Sequence, residues 1–193
     1  MRIIAGTLKG RRLDPPAWEG LRPTSDKLRE TLFNVLAPRM DGARVLDGYA
    51  GTGTLGLEAL SRGASHVTFV ERDRRAQQLI ARNIARCGIA DGYVIIGSTV
   101  LQAIETLHGE PSFDIVLLDP PYAGFRAPSG KFSEISGDIH DVLQTVGAIV
   151  KADGVVVLEH ARKRPMPDAA GLLVRSRDLV SGDSALTFYA CPR

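Results

Sequence analysis

The chain has 193 residues, enough for one substantial hydrophobic core and a small appendage. Its hydrophobic content of 44% and charged content of 24% are ordinary for a globular protein, and a net charge of +2 confines any nucleic-acid surface to a local basic patch. Two cysteines exclude a disulfide scaffold and form no zinc-binding pair, so no metal is expected. Without a long apolar run or a signal-peptide pattern, the sequence predicts a cytoplasmic protein.

The first 22 residues are predicted to form a basic β-hairpin extension, and residues 23–193 the main domain. Over the first thirty residues, seven Lys and Arg stand against four acids, a surplus larger than that of the whole chain. Exposed cations on a hairpin suit the phosphates of a nucleic acid. The alternative is a charged edge strand that blocks pairing with other sheets. The basic residues assigned to RNA are Arg2, Lys9, Arg11, Arg12 and Arg22.

A first helix is predicted after residue 25. Thr24 or Ser25 can cap it, Pro38 and Gly42 end it, and its apolar residues recur at helical spacing. Polar residues on its other faces are solvent-exposed in the simplest interpretation. In the alternative, Arg22 and Arg29 bind a cofactor carboxylate or RNA, and we count Thr24 and Arg29 as cofactor contacts.

Residues 45–56 predict a short apolar strand, a glycine-rich turn and the first turn of a helix. Gly51 and Gly53 allow a positive φ and let a ligand lie on the backbone. The amides of residues 52–54 are expected to point at that ligand from the helix N-terminus. Such a crevice, at the carboxyl end of the first strand of an open α/β sheet, is where these folds bind cofactors.

The glycine spacing also matches a dinucleotide-binding fingerprint, so a nicotinamide or flavin enzyme stays open, as does a turn without a ligand. Asp47 stands ahead of the turn, where a carboxylate would repel a pyrophosphate but attract a ligand carrying an ammonium and a sulfonium. The pattern resembles the first motif of S-adenosylmethionine (SAM)-dependent methyltransferases. The predicted cofactor contacts here are Asp47, Ala50, Gly51, Thr52 and Gly53.

Two further strands carry cofactor candidates. The strand at residues 66–71 ends in Glu71, about twenty residues past the turn, where an acid can accept both ribose hydroxyls of an adenosine. Its neighbour Arg72 is also assigned as a cofactor contact. Asp73 is expected to cap the helix over residues 74–86. The strand at residues 93–96 is followed by Ser98, where many SAM methyltransferases have an aspartate that binds the adenine amine.

The strongest motif follows an entirely apolar strand, which predicts burial on both faces of a parallel sheet. It consists of Asp119, Pro120, Pro121 and Tyr122. The prolines lock the backbone and remove two amide donors, so carbonyl oxygens project into the cleft. Asp119 and the Pro120 carbonyl then form a pair of acceptors, and Tyr122 offers a ring for stacking. This arrangement suits the exocyclic amine of a planar base.

The remaining segments are predicted more coarsely. Residues 123–137 are expected to form a loop over the site, with Arg126 as a further RNA contact. A helix is predicted over about 139–150, a strand over 154–160, and a terminal antiparallel pair over 172–174 and 185–190. The basic run at 162–164 is too short to indicate more than surface.

Alternating strands and helices predict an α/β fold, a Rossmann-like doubly wound sheet with a mostly parallel order and an antiparallel last strand. With these motifs, nearly the whole chain resembles the bacterial RsmD-type family, which methylates guanine N2 in 16S ribosomal RNA. The residues that carry the resemblance are Arg2–Gly6, Lys9–Arg11, Arg22–Thr24, Arg29–Asn34, Leu46–Ala59 and Asp119–Tyr122. Gly48-Tyr49 and Ser98 depart from the usual family residues.

The resemblance implies SAM as cofactor and direct methyl transfer to a flipped or unpaired guanine of small-subunit rRNA, free or in a subunit particle. It implies that Asp119 and the Pro120 carbonyl accept hydrogen bonds from the amine. A monomer is expected, with no membrane association. The alternatives are a DNA adenine-N6 methyltransferase, which shares the tetrapeptide but usually carries a larger recognition region, and a non-catalytic SAM- or RNA-binding module.

Overall fold

A single eight-stranded sheet runs through the part of the chain that the computed structural model describes: residues 1–18, 25–109, 112–121 and 135–192, the side chains of 135–138 excepted. Arg22, Thr24, Tyr122 and Arg126 lie outside these residues. The helices are α1 (Asp26–Leu36), α2 (Thr54–Ser61), α3 (Arg74–Cys87), α4 (Val100–Thr106) and α5 (Ile135–Val146). The strands are β1 (Arg44–Asp47), β2 (His66–Val70), β3 (Tyr93–Ile96), β4 (Phe113–Leu118), β5 (Val150–Ala161), β6 (Ala169–Ala170), β7 (Leu173–Ser181) and β8 (Ser184–Ala190).

The strand order is β3-β2-β1-β4-β5-β8-β7-β6. The first five strands of this order pair in parallel, while β8 pairs antiparallel with both β5 and β7. The order reverses between β1 and β4, and in open α/β sheets this switch point is where ligands bind. The predicted doubly wound sheet with an antiparallel edge is confirmed.

Two apolar clusters cover the two faces of the sheet. One joins α1, α2 and α3 to the sheet and includes Phe33 and Phe69, and the other joins α4 and α5 to the opposite face around Val116 and Val142. Cys87 is buried in the first cluster. A three-layer arrangement results, in which both faces of the central strands β1, β2 and β4 are covered.

Several local predictions are confirmed, and the bounds of three elements were wrong, among them those of the strand predicted over 154–160, which is β5 and begins at Val150. Ser25 caps α1 by accepting a hydrogen bond from the Leu28 amide at 3.2 Å, and Asp73 caps α3. The predicted helix at 139–150 instead begins at Ile135 and ends at Val146, where the chain tightens into a 3₁₀ turn over Gly147–Ile149. The strand predicted at 172–174 is the nine-residue β7, whose polar sequence is held by its ladder with β8.

The N-terminal segment is anchored on α2. Within it, an isolated antiparallel bridge joins Arg2 to Arg12 where two short strands were predicted. Its Ile3 side chain is buried in the first cluster. The amides of residues 4 and 5 donate to the buried Glu58 carboxylate at 2.8 and 3.0 Å, and Ser61 bonds the following turn. The division at residue 22 stays a prediction.

Two glycines of this segment provide a matched test of its docking. Gly6 and Gly10 both have a positive φ, but a Cβ on Gly6 would lie 1.7 Å from the Ser61 carbonyl oxygen, whereas a Cβ on Gly10 meets none of the described residues within 4 Å. We expect Gly10→Ala to lower the free energy of unfolding by about 1 kcal/mol, the cost of left-handed backbone. Gly6→Ala should cost about 3 kcal/mol or more or release the segment, since backbone atoms must move apart.

Urea denaturation and proteolytic cleavage near residue 6 measure both effects. Equal losses of stability in the two variants would show that the contact with Ser61 does not hold the segment.

Candidate active site

The glycine-rich turn is tied to two strands. Ala50 donates its amide to the Val70 carbonyl at 3.0 Å, and Gly53 donates back to Ala50 at 2.7 Å, closing the turn. Gly53, with φ 77°, is the N-cap of α2. The expectation that the Gly53 amide points at a ligand was therefore wrong, since that donor is used within the turn. Gly51 also has a positive φ, so its role as a conformational requirement of the turn is confirmed.

Asp47, at the end of β1, is 1% exposed. One carboxylate oxygen accepts from the Gly56 amide at 2.9 Å, whereas Oδ1 has no hydrogen-bond partner among the described residues. Burial, with a smaller contribution from Glu71, raises the pKa of Asp47 to about 7, against the lowering effect of the Gly56 bond. A buried carboxylate with an orphan oxygen is expensive without a cation. The geometry thus suits a positively charged ligand at the strand end.

Glu71 joins the turn to the end of β2. Its two oxygens accept from the amides of Gly51 at 2.9 Å and Asp73 at 2.8 Å, while Gln77 donates to its carbonyl. These bonds fix the orientation of a half-buried carboxylate. Because each oxygen of an ionised carboxylate can accept two hydrogen bonds, capacity remains for the hydroxyls of a ribose.

The neighbouring polar residues are placed less specifically. Arg72 is exposed beside Glu71. Ser98 is half-buried after β3 and donates its hydroxyl to the Thr99 carbonyl at 3.0 Å, leaving its oxygen able to accept. Thr99 caps α4 in a capping box with Gln102, so the backbone here is well defined.

The predicted catalytic segment lies on the strand next to Asp47. Asp47 is in register with Leu117 of β4, and the Gly48 amide donates to the Leu117 carbonyl at 2.8 Å. Asp119 therefore follows β4 directly beside the end of β1. Asp119 and Pro120 are half-buried, and Pro121 is exposed. A Cβ on Gly48 would come within 2.6 Å of Leu118, so this departure from the family sequence allows a close approach of β1 and β4.

Arg29 does not reach this cleft. Its side chain is 1% exposed, donates to the Arg2 carbonyl and to Asp26, and lies 3.9 Å from Glu58. Burial, which outweighs the nearby carboxylates, lowers its pKa. We therefore correct the assignment of Arg29 as a cofactor contact, because its guanidinium is occupied by the Arg2 carbonyl and Asp26, away from the glycine-rich turn. It instead holds the N-terminal segment on α1.

The basic residues of the N-terminal segment are exposed. Arg2 forms a surface ion pair with Asp26 at 3.6 Å. The side chain of Met1 lies at the glycine-rich turn of residues 50–53, called the cofactor turn after its predicted role, with its sulfur 3.9 and 3.7 Å from the hydroxyls of Thr52 and Thr54. The segment thus adjoins the cleft. Its other exposed cations are Lys9, Arg11 and Arg12.

Sequence reasoning missed Asn83, which is fully buried on α3. Its amide nitrogen donates to the Thr52 carbonyl at 3.2 Å and to Asp14, whose own amide donates to Asn83 Oδ1 at 2.7 Å. It therefore links the N-terminal segment to the cofactor turn. A signal was available, because Asn83 occupies an otherwise apolar position of an amphipathic helix.

Over the described ranges, no helix is long and apolar enough to cross a membrane.

Comparisons with known proteins agree with this architecture. The family model described as conserved hypothetical protein 95 matches residues 1–190. YlbH of Bacillus subtilis is 34% identical over 190 residues, 98% of each chain. Ribosomal RNA small subunit methyltransferase D of Haemophilus influenzae is 44% identical over 124 residues, which cover 63% of this chain and 64% of that protein. The structure of yhhF from Escherichia coli matches with a TM-score of 0.77 and 33% identity, covering 100% of this chain and 98% of that one.

Proposed function

Since this chain belongs to the conserved hypothetical protein 95 family, the RsmD family that its sequence resembles, we propose that it is a SAM-dependent methyltransferase of small-subunit ribosomal RNA, acting on the exocyclic N2 of a guanine. The observation that carries the proposal is the pairing of β1 with β4, because it brings the buried Asp47 and the Asp119-Pro120-Pro121 segment to the same edge of the sheet. In this proposal Asp47 binds the cofactor and Asp119 binds the base.

The residues around the turn fit SAM. The buried Oδ1 atom of Asp47 has no hydrogen-bond partner among the described residues, and the ammonium of the cofactor can pair with it. Glu71 retains acceptor capacity for the ribose, and Ser98 for the adenine amine. Bound there, SAM supplies a methyl group already activated by its sulfonium. The remaining contacts of the proposed cofactor site are Ala50, Gly51, Thr52 and Arg72, and Gly53 contributes the left-handed backbone that shapes the turn.

The protein's own contribution is to orient the attacking amine. Guanine N2 is a weak nucleophile because its lone pair is delocalised into the ring. Hydrogen bonds from its N–H groups to Asp119 and the Pro120 carbonyl favour a pyramidal nitrogen and aim its lone pair at the methyl carbon. Pro121 stiffens this segment, and the predicted stacking of Tyr122 on the base concerns a residue outside the described part of the chain. The new nitrogen–carbon bond would form as the bond from sulfur to the methyl group breaks, which leaves a neutral thioether, and the amine proton would leave to solvent or to the nearby carboxylate.

The other function classes are less consistent with the site. A nicotinamide or flavin enzyme would place its pyrophosphate beside the ionised form of Asp47, which repels it. A DNA adenine-N6 methyltransferase shares the tetrapeptide, so the reaction product distinguishes it from an rRNA methyltransferase. We propose a monomer acting on rRNA, as free RNA or within a subunit particle.

Transfer of a tritiated methyl group from SAM tests the proposal on three substrates: bare 16S RNA, small-subunit particles lacking the modification, and duplex DNA. We expect N2-methylguanosine from at least one RNA substrate and no labelled DNA. N6-methyladenine in DNA would replace the proposal with the alternative. Absence of transfer to all three substrates, with SAM bound, would favour a non-catalytic binding module.

A further inference from the structure

A shallow basic cleft lies beyond the end of β5, on the far side of β4 from the cofactor turn. Its volume is about 330 Å³. Its walls include the cationic side chains of Arg162, Lys163, Arg164 and Arg175, against a single carboxylate, Asp178. We refer to these five residues as the β5 cleft. The proposed mechanism uses none of them.

The backbone of the cleft is held in place. Arg164 donates its amide to the Ala161 carbonyl at 2.9 Å, which closes the turn after β5. The Arg162 amide donates at 2.8 Å to the Asp183 carbonyl in the β7–β8 hairpin. A turn fixed at both sides presents its charges at a constant position, which lowers the entropic cost of binding an anion.

The charges of the cleft are only partly compensated. Arg175 pairs with Asp178 and with Asp168, so it belongs to the wall. Arg162 and Lys163 are exposed, and over the residues that the structure describes neither has a carboxylate within ion-pair distance. The carboxylate of Asp178 is thus already neutralised, and the turn keeps a local surplus of positive charge.

The sheet places this charge beside the reacting end of β4. Leu118 and Leu158 are in register on parallel strands, so both strands end at the same edge. Asp119 is one residue past Leu118 along β4, and Arg162 is four residues past Leu158 along β5. At about 3.3 Å per residue, the basic turn begins about 10 Å further out than Asp119, one strand across. The N-terminal segment flanks the opposite side of Asp119 through the cofactor turn.

We propose that the β5 cleft binds backbone phosphates of the RNA next to the methylated guanine, with Arg162 and Lys163 as the phosphate contacts. The inference rests on the proposed function. Cations on both sides of Asp119 hold the RNA strand by its phosphates, and the guanine between these phosphates reaches Asp119. Phosphate contacts of this kind fix position without reading sequence.

The test is the double variant Arg162→Ala/Lys163→Ala, whose two side chains are exposed. We expect KM for the RNA substrate to rise about tenfold, with kcat and KM for SAM within about twofold of wild type. The slope of log(kcat/KM) for RNA against log salt concentration should fall in magnitude by about 1 to 2, one counterion contact for each lost cation. A variant with lower SAM affinity or a lower melting temperature would point to a structural role and overturn the proposal.

The matched control is Arg44→Ala/Arg82→Ala, which removes two exposed charges from the opposite end of β1 and from α3. Equal KM values and salt slopes in the two double variants would show that only net charge matters, and would also overturn the proposal. If the wild type methylates no RNA, the proposed function fails, and binding of a single-stranded RNA oligonucleotide decides the cleft separately. Identical salt slopes for that binding in wild type and variant would then reject it.

Discussion

Replacing Asp119 by alanine is expected to lower kcat for methyl transfer to RNA by about 10²–10³ or more, while the Kd for SAM stays within about twofold. Removing one preorganised polar group at a reacting centre has an effect of this order. The amine would keep the Pro120 carbonyl but lose the acceptor that directs its second N–H. Because Asp119 follows β4 and the proposed cofactor contacts follow β1, β2 and β3, affinity for SAM should not depend on it.

Two further variants sharpen this test. Asp119→Asn keeps one carbonyl acceptor without the charge, so its kcat should lie between those of wild type and the alanine variant. Asp114→Asn changes a carboxylate on the same strand that accepts from Lys151 at 2.9 Å and from the Arg44 amide. We expect that control to alter stability but not kcat. Loss of SAM binding in Asp119→Ala, measured by calorimetry, would mean that Asp119 holds the cofactor.

The second large effect concerns the pH dependence contributed by Asp47. Burial raises its pKa in the folded protein to about 7, so the native state holds this proton more tightly than the unfolded chain. Near pH 4 the Asp47 carboxyl is protonated in the folded protein, so its burial has no charge penalty. The free energy of unfolding then falls as the pH rises towards 7. At about 1.4 kcal/mol per pH unit, the loss is about 4 kcal/mol.

Asp47→Asn isolates this contribution, because asparagine does not titrate. The free energy of unfolding of wild type minus that of the variant should fall by about 4 kcal/mol between pH 4 and pH 8, measured by urea denaturation without SAM. A difference that is constant with pH would contradict a raised pKa for Asp47.

SAM binding should show the same titration from the other side. A cationic ligand binds the ionised carboxylate, so the Kd of wild type should rise about tenfold for each pH unit below 7. In Asp47→Asn the Kd for SAM should be higher throughout and nearly independent of pH. Calorimetry over pH 5 to 8 measures both trends.

Taken together, these tests separate three roles that lie at neighbouring positions along one edge of the sheet. Asp47 is expected to determine the affinity for the cofactor, and Asp119 the rate at which the amine reacts. The β5 cleft is expected to determine the affinity for the RNA backbone. Each variant should change one kinetic or binding constant and leave the other two nearly unchanged.

Local sequence determined much of this protein. Helix caps such as Ser25 and Asp73 and the closely spaced glycines of the cofactor turn depend on interactions within a few residues, and they are found where the sequence predicts them. The apolar run of β4 likewise predicts a strand buried on both faces. The order of these elements was enough to indicate the doubly wound sheet, since parallel crossovers allow few topologies.

The tertiary structure decided where charged side chains face. Arg29 has the sequence surroundings of a ligand contact, yet it is buried, with a long-range hydrogen bond to the Arg2 carbonyl and an ion pair with Glu58. Asn83 gains its role from partners 31 and 69 residues away. The run at 162–164 is a short surface stretch in sequence, and only the register of β4 and β5 brings it beside Asp119. Such contacts depend on strand pairing between distant segments, which no local pattern encodes.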